Sequence, residues 1–328
     1  MIPDPVLSLL HAALPGQPVA DVRPTVGGFS NLTLAATVGG RRCVLKAASH
    51  PPKRADLRRE AAVLPLLRGT GIPAPELLAF AEDQEWTVAL TALLPGAPGL
   101  RLYERPPAEL LPVFAALGRL LAAVHATTPD RGLLTEDRGR QTVADGGSAL
   151  SDAPPAPEPG GRPSFVAPRS SDLALHARAE TTLGALAGLP LEAGLHDALA
   201  EALAHPAWRP AAPRLVHGDA GLHNILWDGH ITGLLDWEWA GWGAPALDLA
   251  WVAWTMRFRG VPPAAWEALL ASYADAGGAA TAPEPEALRA LALGQIAGIL
   301  VRSYGRQAAW EEWLRRARWT REKRSELV

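Results

Sequence analysis

Cysteine is almost absent from this chain: Cys43 is the only one among 328 residues. A single thiol cannot close an intrachain disulfide, so nothing points to an oxidising compartment. Cys43 lies in the apolar run CVLKA, which predicts a packed thiol rather than a nucleophile. Long hydrophobic runs are missing as well. No stretch approaches the roughly eighteen uninterrupted apolar residues that would predict a membrane-spanning helix. The N-terminal MIPDPVLSLLHAALPG carries prolines and no basic start, which makes it a poor signal peptide. The net charge of −3 is too small to imply a nucleic-acid partner by itself. The expectation is a cytoplasmic enzyme with neither a membrane nor a nucleic acid as partner.

What is present suits a globular protein: 48% hydrophobic and 20% charged residues, in a length that allows two ordinary domains. The 31 glycines and 31 prolines predict many turns and at least one disordered stretch. Residues 4–14 read as a short helix. Two β-rich runs, 19–37, meet at Gly27-Gly28, and 42–47 reads as a third strand after Gly39-Gly40. A charged segment follows in which Leu57, Ala61, Leu64 and Leu67 keep helical spacing. Strands at 76–81 and 86–94 complete a small antiparallel sheet. Beyond residue 105 the chain turns helical. The stretch 108–125 is a long apolar helix whose Pro112 is expected in its first turn. Residues 129–170 are rich in Gly, Pro, Ser and Asp and are expected to be mobile.

Several residues could carry chemistry. Gly27, Gly28, Phe29, Ser30 and Asn31 form a hairpin whose glycines would let backbone N–H groups approach phosphate oxygens, although most such hairpins are only turns. Lys46 ends the strand VLK on the same side as Val44. It is either frayed into solvent or held inward against an anion. Glu60 on the following helix offers it a partner that could orient the ammonium toward phosphates. The stretch LVHGDAGLHNILW contains His217, Asp219, His223 and Asn224, and Asp236 and Glu238 follow an apolar strand. Two strands flanking a loop would bring Asp219, Asn224 and Asp236 together. Such an oxygen cluster suits Mg²⁺, which binds few protein ligands and leaves sites for water and phosphates.

The pattern of His-x-Asp-x-x-x-x-Asn, a later Asp, an upstream Lys–Glu pair and a glycine hairpin resembles protein-kinase-like enzymes. The His-Gly-Asp form, with Asp236-Trp237-Glu238 and the later run Gly243-Ala244-Pro245-Ala246-Leu247-Asp248-Leu249-Ala250, resembles the aminoglycoside phosphotransferase and choline kinase branch. The resemblance spans roughly residues 20–300. It implies an α+β, two-lobed kinase-like fold: a nucleotide-binding lobe, 1–96, with a small antiparallel sheet and one helix, then a mostly helical lobe, 97–328. It implies Asp219 as catalytic base, Asn224 and Asp236 as Mg²⁺ ligands, and Lys46, steadied by Glu60, on the phosphates of ATP or GTP. The glycine hairpin would cover those phosphates. The run LTALLPG, with Leu93, resembles the hinge whose backbone receives adenine. His217 would brace the loop, Asp248 would anchor backbone near it, and Glu238 would support them.

The implied partners are a nucleotide and a small-molecule hydroxyl acceptor. Trp239 and Trp242, in the loop after Asp236, offer aromatic faces to a sugar or quaternary ammonium, although packing is the better expectation for either alone. The basic C-terminal segment, with Arg315, Arg316, Arg318 and Arg321, lacks the acidic character that would gather a polycationic aminoglycoside, which favours a small metabolite over an antibiotic. Two other readings stay open. A metal-dependent hydrolase could use His217, Asp219, His223 and Asp236, though it leaves Lys46, Glu60 and the hairpin without a purpose. A kinase fold that binds nucleotide without turnover is disfavoured because every catalytic position is filled.

Overall fold

The computed structural model describes residues 2–25, 32–129, 173–279 and 283–323. The glycine hairpin, Gly27 to Asn31, and almost all of the 129–170 segment lie outside them. The described chain forms two compact units that divide between Leu94 and Pro95.

The first unit is built on an antiparallel sheet. Its strands are β1 (Val19–Pro24), β2 (Leu32–Val38), β3 (Arg41–Ala48), β4 (Leu77–Glu82) and β5 (Thr87–Ala92), in the order β1-β2-β3-β5-β4. Side chains alternate across the pleat, so Leu34, Ala36 and Val38 of β2 and Cys43, Leu45 and Ala47 of β3 share one buried face. Val6 and Leu10 of helix α1 (Asp4–Ala13) join that core. The alternation leaves Val44 and Lys46 on the opposite face. Strand β5, between β3 and β4, is buried at every position. Helix α2 (Pro51–Val63) packs against β3 and β5. Its α-helical bonding stops where Pro65, lacking an N–H, forces a 3₁₀ turn over Leu64–Leu67. The predicted apolar positions Leu57, Ala61, Leu64 and Leu67 are all buried.

The second unit is mostly helical. Helix α3 (Pro107–His125) starts at Pro107, whose ring presets the first helical φ, so Pro112 lies beyond the first turn rather than in it. This helix has the length and hydropathy of a membrane span, which unbroken apolar runs did not reveal, but half of that apolar window is buried inside the protein. Its partner is helix α7 (Pro263–Asp275), and the two meet at Gly118, where a Cβ would overlap the Leu269 carbonyl. Helices α4 (Leu175–Leu186), α5 (Ala193–Ala204) and α6 (Ala246–Phe258) pack around α8 (Pro285–Ser303), together with the C-terminal α9 (Gln307–Glu322). Helix α8 is buried along most of its length, which explains an apolar sequence with little amphipathic pattern.

Short strands complete this unit. Strand β7 (Arg214–Val216) pairs antiparallel with β10 (Gly241–Gly243). Strands β6 (Ala97–Pro98), β8 (Ile225–Trp227) and β9 (Ile231–Leu234) form a small sheet in that order. The β8–β9 hairpin pairs Ile225 with Leu234, and the Leu235 N–H donates to the Asn224 carbonyl at 2.7 Å. Thus the chain leaving Asn224 returns beside it immediately before Asp236.

Candidate active site

The first unit holds an ion pair. The Lys46 ammonium donates to both Glu60 carboxylate oxygens, at 2.8 and 3.0 Å. Side-chain exposure is 12% for Lys46 and 2% for Glu60, so the pair is largely withdrawn from water. Of the two alternatives left by the sequence, frayed or held inward, the structure has Lys46 held.

The second unit holds the His-Gly-Asp turn. His217-Gly218-Asp219 follows β7 and is pinned from below by Asp248, which is fully buried near the start of α6. The Asp248 carboxylate accepts from the His217 N–H (2.8 Å), the Gly218 N–H (2.7 Å) and His125 Nε2 (3.0 Å). Burial alone would push the Asp248 pKa up, but the hydrogen bond and charge of His125, with help from His217, outweigh it and hold the group below its ordinary value. His125 Nδ1 lies 2.8 Å from the Tyr273 hydroxyl, whose pKa burial raises to about 12. Gly218 has φ +79°, and a Cβ there would overlap the Trp239 carbonyl. Both the left-handed backbone and the close approach require glycine in this turn.

His217 uses both ring nitrogens within the fold. Nε2 donates to the Leu235 carbonyl at 2.8 Å, which leaves Nδ1 to accept the Asp219 N–H at 3.2 Å. A ring so engaged braces the loop and has no lone pair left for a metal. That removes one of the four ligands a metallohydrolase would need here.

Asp219 is ringed by donors. Asn224 Nδ2 donates to its Oδ2 at 2.9 Å and to its backbone carbonyl at 2.9 Å. Since both partners are acceptors, the Asn224 amide orientation is fixed and its oxygen points elsewhere, available as a hard ligand. On the other oxygen, Oδ1, Trp251 Nε1 donates at 2.6 Å and His223 Nε2 at 3.2 Å. Burial lowers the His223 pKa, but the charge and hydrogen bond of Asp219 more than reverse this, and the net direction is up. Asp236 adopts a left-handed conformation, φ 65° and ψ 60°, which Asp tolerates better than most residues.

A family model described as the phosphotransferase enzyme family matches residues 21–291. The chain belongs to that family. Comparison with curated proteins finds no match. Among solved structures, this phosphotransferase is similar to the macrolide 2'-phosphotransferase MphH of Brachybacterium faecium, at 22% identity and TM-score 0.58, over 95% of this chain and 97% of that one. A thermostable mutant of aminoglycoside phosphotransferase APH(4)-Ia, in ternary complex with ADP and hygromycin B, is similar at 19% identity and TM-score 0.53, covering 92% and 93% of the two chains. A protein of Haemophilus somnus described as a candidate fructosamine-3-kinase matches at 14% identity and TM-score 0.53, over 95% of each chain. At such identities these likenesses speak to the kinase-like fold.

Neither expected acceptor contact offers an open aromatic face to a quaternary ammonium. Trp242 is only 5% exposed, held in β10 opposite Leu215, so it presents no face to a ligand. Trp239 has the guanidinium groups of Arg178 and Arg302 over its ring, 3.6 and 4.2 Å from the centroid, so a quaternary ammonium would meet cations there. Leu93 donates its N–H to the Arg42 carbonyl at 3.2 Å, which commits that amide to the sheet rather than to adenine. Glu238 is buried beside Trp237, on a short 3₁₀ turn.

Sequence reasoning missed His125, Gln295 and the polar role of Trp251. Gln295 Nε2 donates to the Gly218 carbonyl, a third tie on the turn. A lone amide inside the apolar run of α8, and a lone His at the end of apolar α3, were the available signals.

Proposed function

We propose that this phosphotransferase moves the γ-phosphate of a purine nucleoside triphosphate, with Mg²⁺, to a hydroxyl of a small metabolite. The observation that carries the reading is Asp219: a half-exposed carboxylate fixed by Asn224, next to a backbone pairing that returns the chain to Asp236. Asp219 would accept the hydroxyl proton as the alcohol oxygen bonds to the γ-phosphorus and the bond to the β-phosphate oxygen breaks. The nucleoside diphosphate would then leave. Lys46, oriented by Glu60, would hold phosphate oxygens as a point charge.

The donor set fits Mg²⁺. An amide oxygen from Asn224 and a carboxylate from Asp236 are hard oxygens without sulfur or imidazole, which matches a cation that keeps several waters. When bound it would neutralise charge on the transferring phosphoryl group. The chain's own residues orient the reactants, which supplies most of the rate in this class of reaction.

The Trp239 ring beside the turn is already covered by cations, so it offers no aromatic face to a further ammonium group. The Trp239 carbonyl abuts Gly218, and Arg178 and Arg302 cover the Trp239 ring beside it. A compound bearing several ammonium groups therefore gains no cation–π contact at Trp239. On α9, Glu312 is engaged by Arg315 and Arg316, at 2.8 and 2.7 Å, so it is not an open acidic contact.

The test is diphosphate release with Mg²⁺ and ATP or GTP across a panel of sugars, amino alcohols, aminoglycosides and macrolides. One small metabolite should be preferred over the antibiotics. Asp219→Asn should keep the wild-type melting temperature and lose about a hundredfold or more of turnover, the usual scale of a removed general base. Activity within a few-fold of wild type in that variant would sink the assignment.

A further inference from the structure

Trp251 is 4% exposed and sits on the face of α6 that the sequence marks as core. Its ring stacks on Trp254 at 4.8 Å and lies 6.2 Å from Trp313 of α9. Trp254 is in turn tied to α9 by its Nε1, which donates to Thr320 Oγ1 at 2.7 Å. The buried indoles of Trp208 and Trp237 end on backbone carbonyls, of Ala202 at 3.0 Å and Leu234 at 2.9 Å, and that of Trp254 on a neutral hydroxyl. Trp251 instead ends on Asp219 Oδ1 at 2.6 Å.

The three donors on Asp219 are not equivalent. His223 has 28% side-chain exposure and sits on a short 3₁₀ turn. Asn224 holds Oδ2 while its own oxygen faces another duty. Only Trp251 is both buried and packed against two further rings, Trp254 and Trp313, so it is the donor best held against rotation of the carboxylate. Its short bond also divides the two oxygens. Oδ1 carries two donors and Oδ2 carries one. A carboxylate oxygen offers about two lone-pair sites, so Oδ2 retains capacity for a hydroxyl and Oδ1 does not.

We propose that Trp251 is a positioning residue for phosphoryl transfer: its indole N–H, together with His223, fills Oδ1 of Asp219, leaves Oδ2 as the oxygen that takes the acceptor's proton, and is itself aimed by the ring stack from α9. The proposal rests on Asp219 being the base, as read above. It extends the catalytic apparatus into a helix that lies beyond the family match, which ends at residue 291.

The test has two arms on the full-length protein. In the first, indole N–H resonances are recorded in ¹H–¹⁵N spectra, with Trp251→Phe assigning the signal. The Trp251 signal should lie downfield of the other indoles and move upfield in Asp219→Ala. A signal indifferent to Asp219→Ala overturns the proposal. In the second arm, Trp251→Phe, which keeps a ring in the stack, is compared with Trp208→Phe, which also loses one buried indole bond. Steady-state turnover of the Mg²⁺ nucleotide is followed, with water as acceptor if need be. Trp251→Phe should lower kcat about ten- to a hundredfold, the range of a hydrogen bond to a charged group, and leave the nucleotide KM within about twofold. Trp208→Phe should lower the melting temperature and leave kcat unchanged. A kcat in Trp251→Phe within about twofold of wild type, or an equal fall in both variants, overturns the proposal. If wild type turns over no nucleotide, the phosphotransfer reading fails, and the indole signal alone then decides whether Trp251 holds Asp219.

Discussion

Asp248 and Asp219 show how differently two carboxylates in one unit are used. Asp248 is buried as an anion beneath the His-Gly-Asp turn, and its pKa is held below the ordinary value. A depressed carboxylate contributes stability that is complete above its unfolded pKa, near 3.8, and is lost as pH falls through the lower folded value. Melting temperature should therefore drop steeply on acidification below about pH 4. Asp248→Asn should flatten that slope while lowering stability at neutral pH, since its amide cannot accept from both backbone N–H groups and from His125. A slope equal to wild type would remove Asp248 as its source. At Gly218, alanine would occupy a left-handed conformation costing about 1–2 kcal/mol and would strike the Trp239 carbonyl. Gly218→Ala should lower both the melting temperature and turnover. The residue scale is where the sequence was most legible. Asp219, Asn224, Lys46 and Glu60 stood out because a charge or amide beside an apolar strand needs a reason. Trp251 did not, because a tryptophan at core spacing looks the same whether its N–H meets a carbonyl or a carboxylate.

At the scale of elements, alternation and helical spacing carried most of the information. They gave the five-stranded sheet, the inserted α2 and the helical remainder, since both patterns follow directly from the pleat and the turn. Packing partners were not legible. Gly118 reads as a flaw in an apolar helix, yet it is where α3 and α7 touch. Gly118→Ala sets two effects against each other: helix propensity would gain about 1 kcal/mol, while the new Cβ would meet backbone that cannot swing aside. Overpacking of this kind costs about 1–3 kcal/mol, so the variant should be destabilised overall. Urea unfolding should show a lower midpoint at constant slope. By composition alone, the segment that forms helix α9 is strongly basic. In the fold, Arg315 and Arg316 pair with Glu312, whose pKa their hydrogen bonds lower to about 2, while Arg318 and Arg321 reach Glu192. A helix counted by charge alone hides pairs set by i,i+3 and i,i+4 geometry and by a neighbour distant in sequence.

For the whole molecule, the nucleotide reading predicts linkage between binding and folding. Mg²⁺ with a nucleoside triphosphate at about a hundred times its Kd should add about 2.7 kcal/mol to stability, visible as a rise in melting temperature. Zn²⁺ alone should give no such rise. Lys46→Ala should abolish most of the shift and also destabilise the free protein, because Glu60 loses the ammonium that balances its buried charge. An undiminished shift in Lys46→Ala would place the nucleotide elsewhere. The acceptor was the least legible feature at this scale. Its contacts depend on which side chains the fold leaves uncovered, and Trp239 and Trp242 were covered by arginines and by a strand that spacing alone could not foresee.

Cys43 is 1% exposed within the first unit's core, and burial pushes its thiol pKa up, so it holds back from alkylating reagents. Because no other cysteine exists in the chain, any cysteine introduced on the surface becomes the only reactive handle. One such handle in each unit would carry a donor–acceptor dye pair without first mutating the core. The distance between the two dyes could then be read in single molecules, with and without nucleotide, on otherwise native protein.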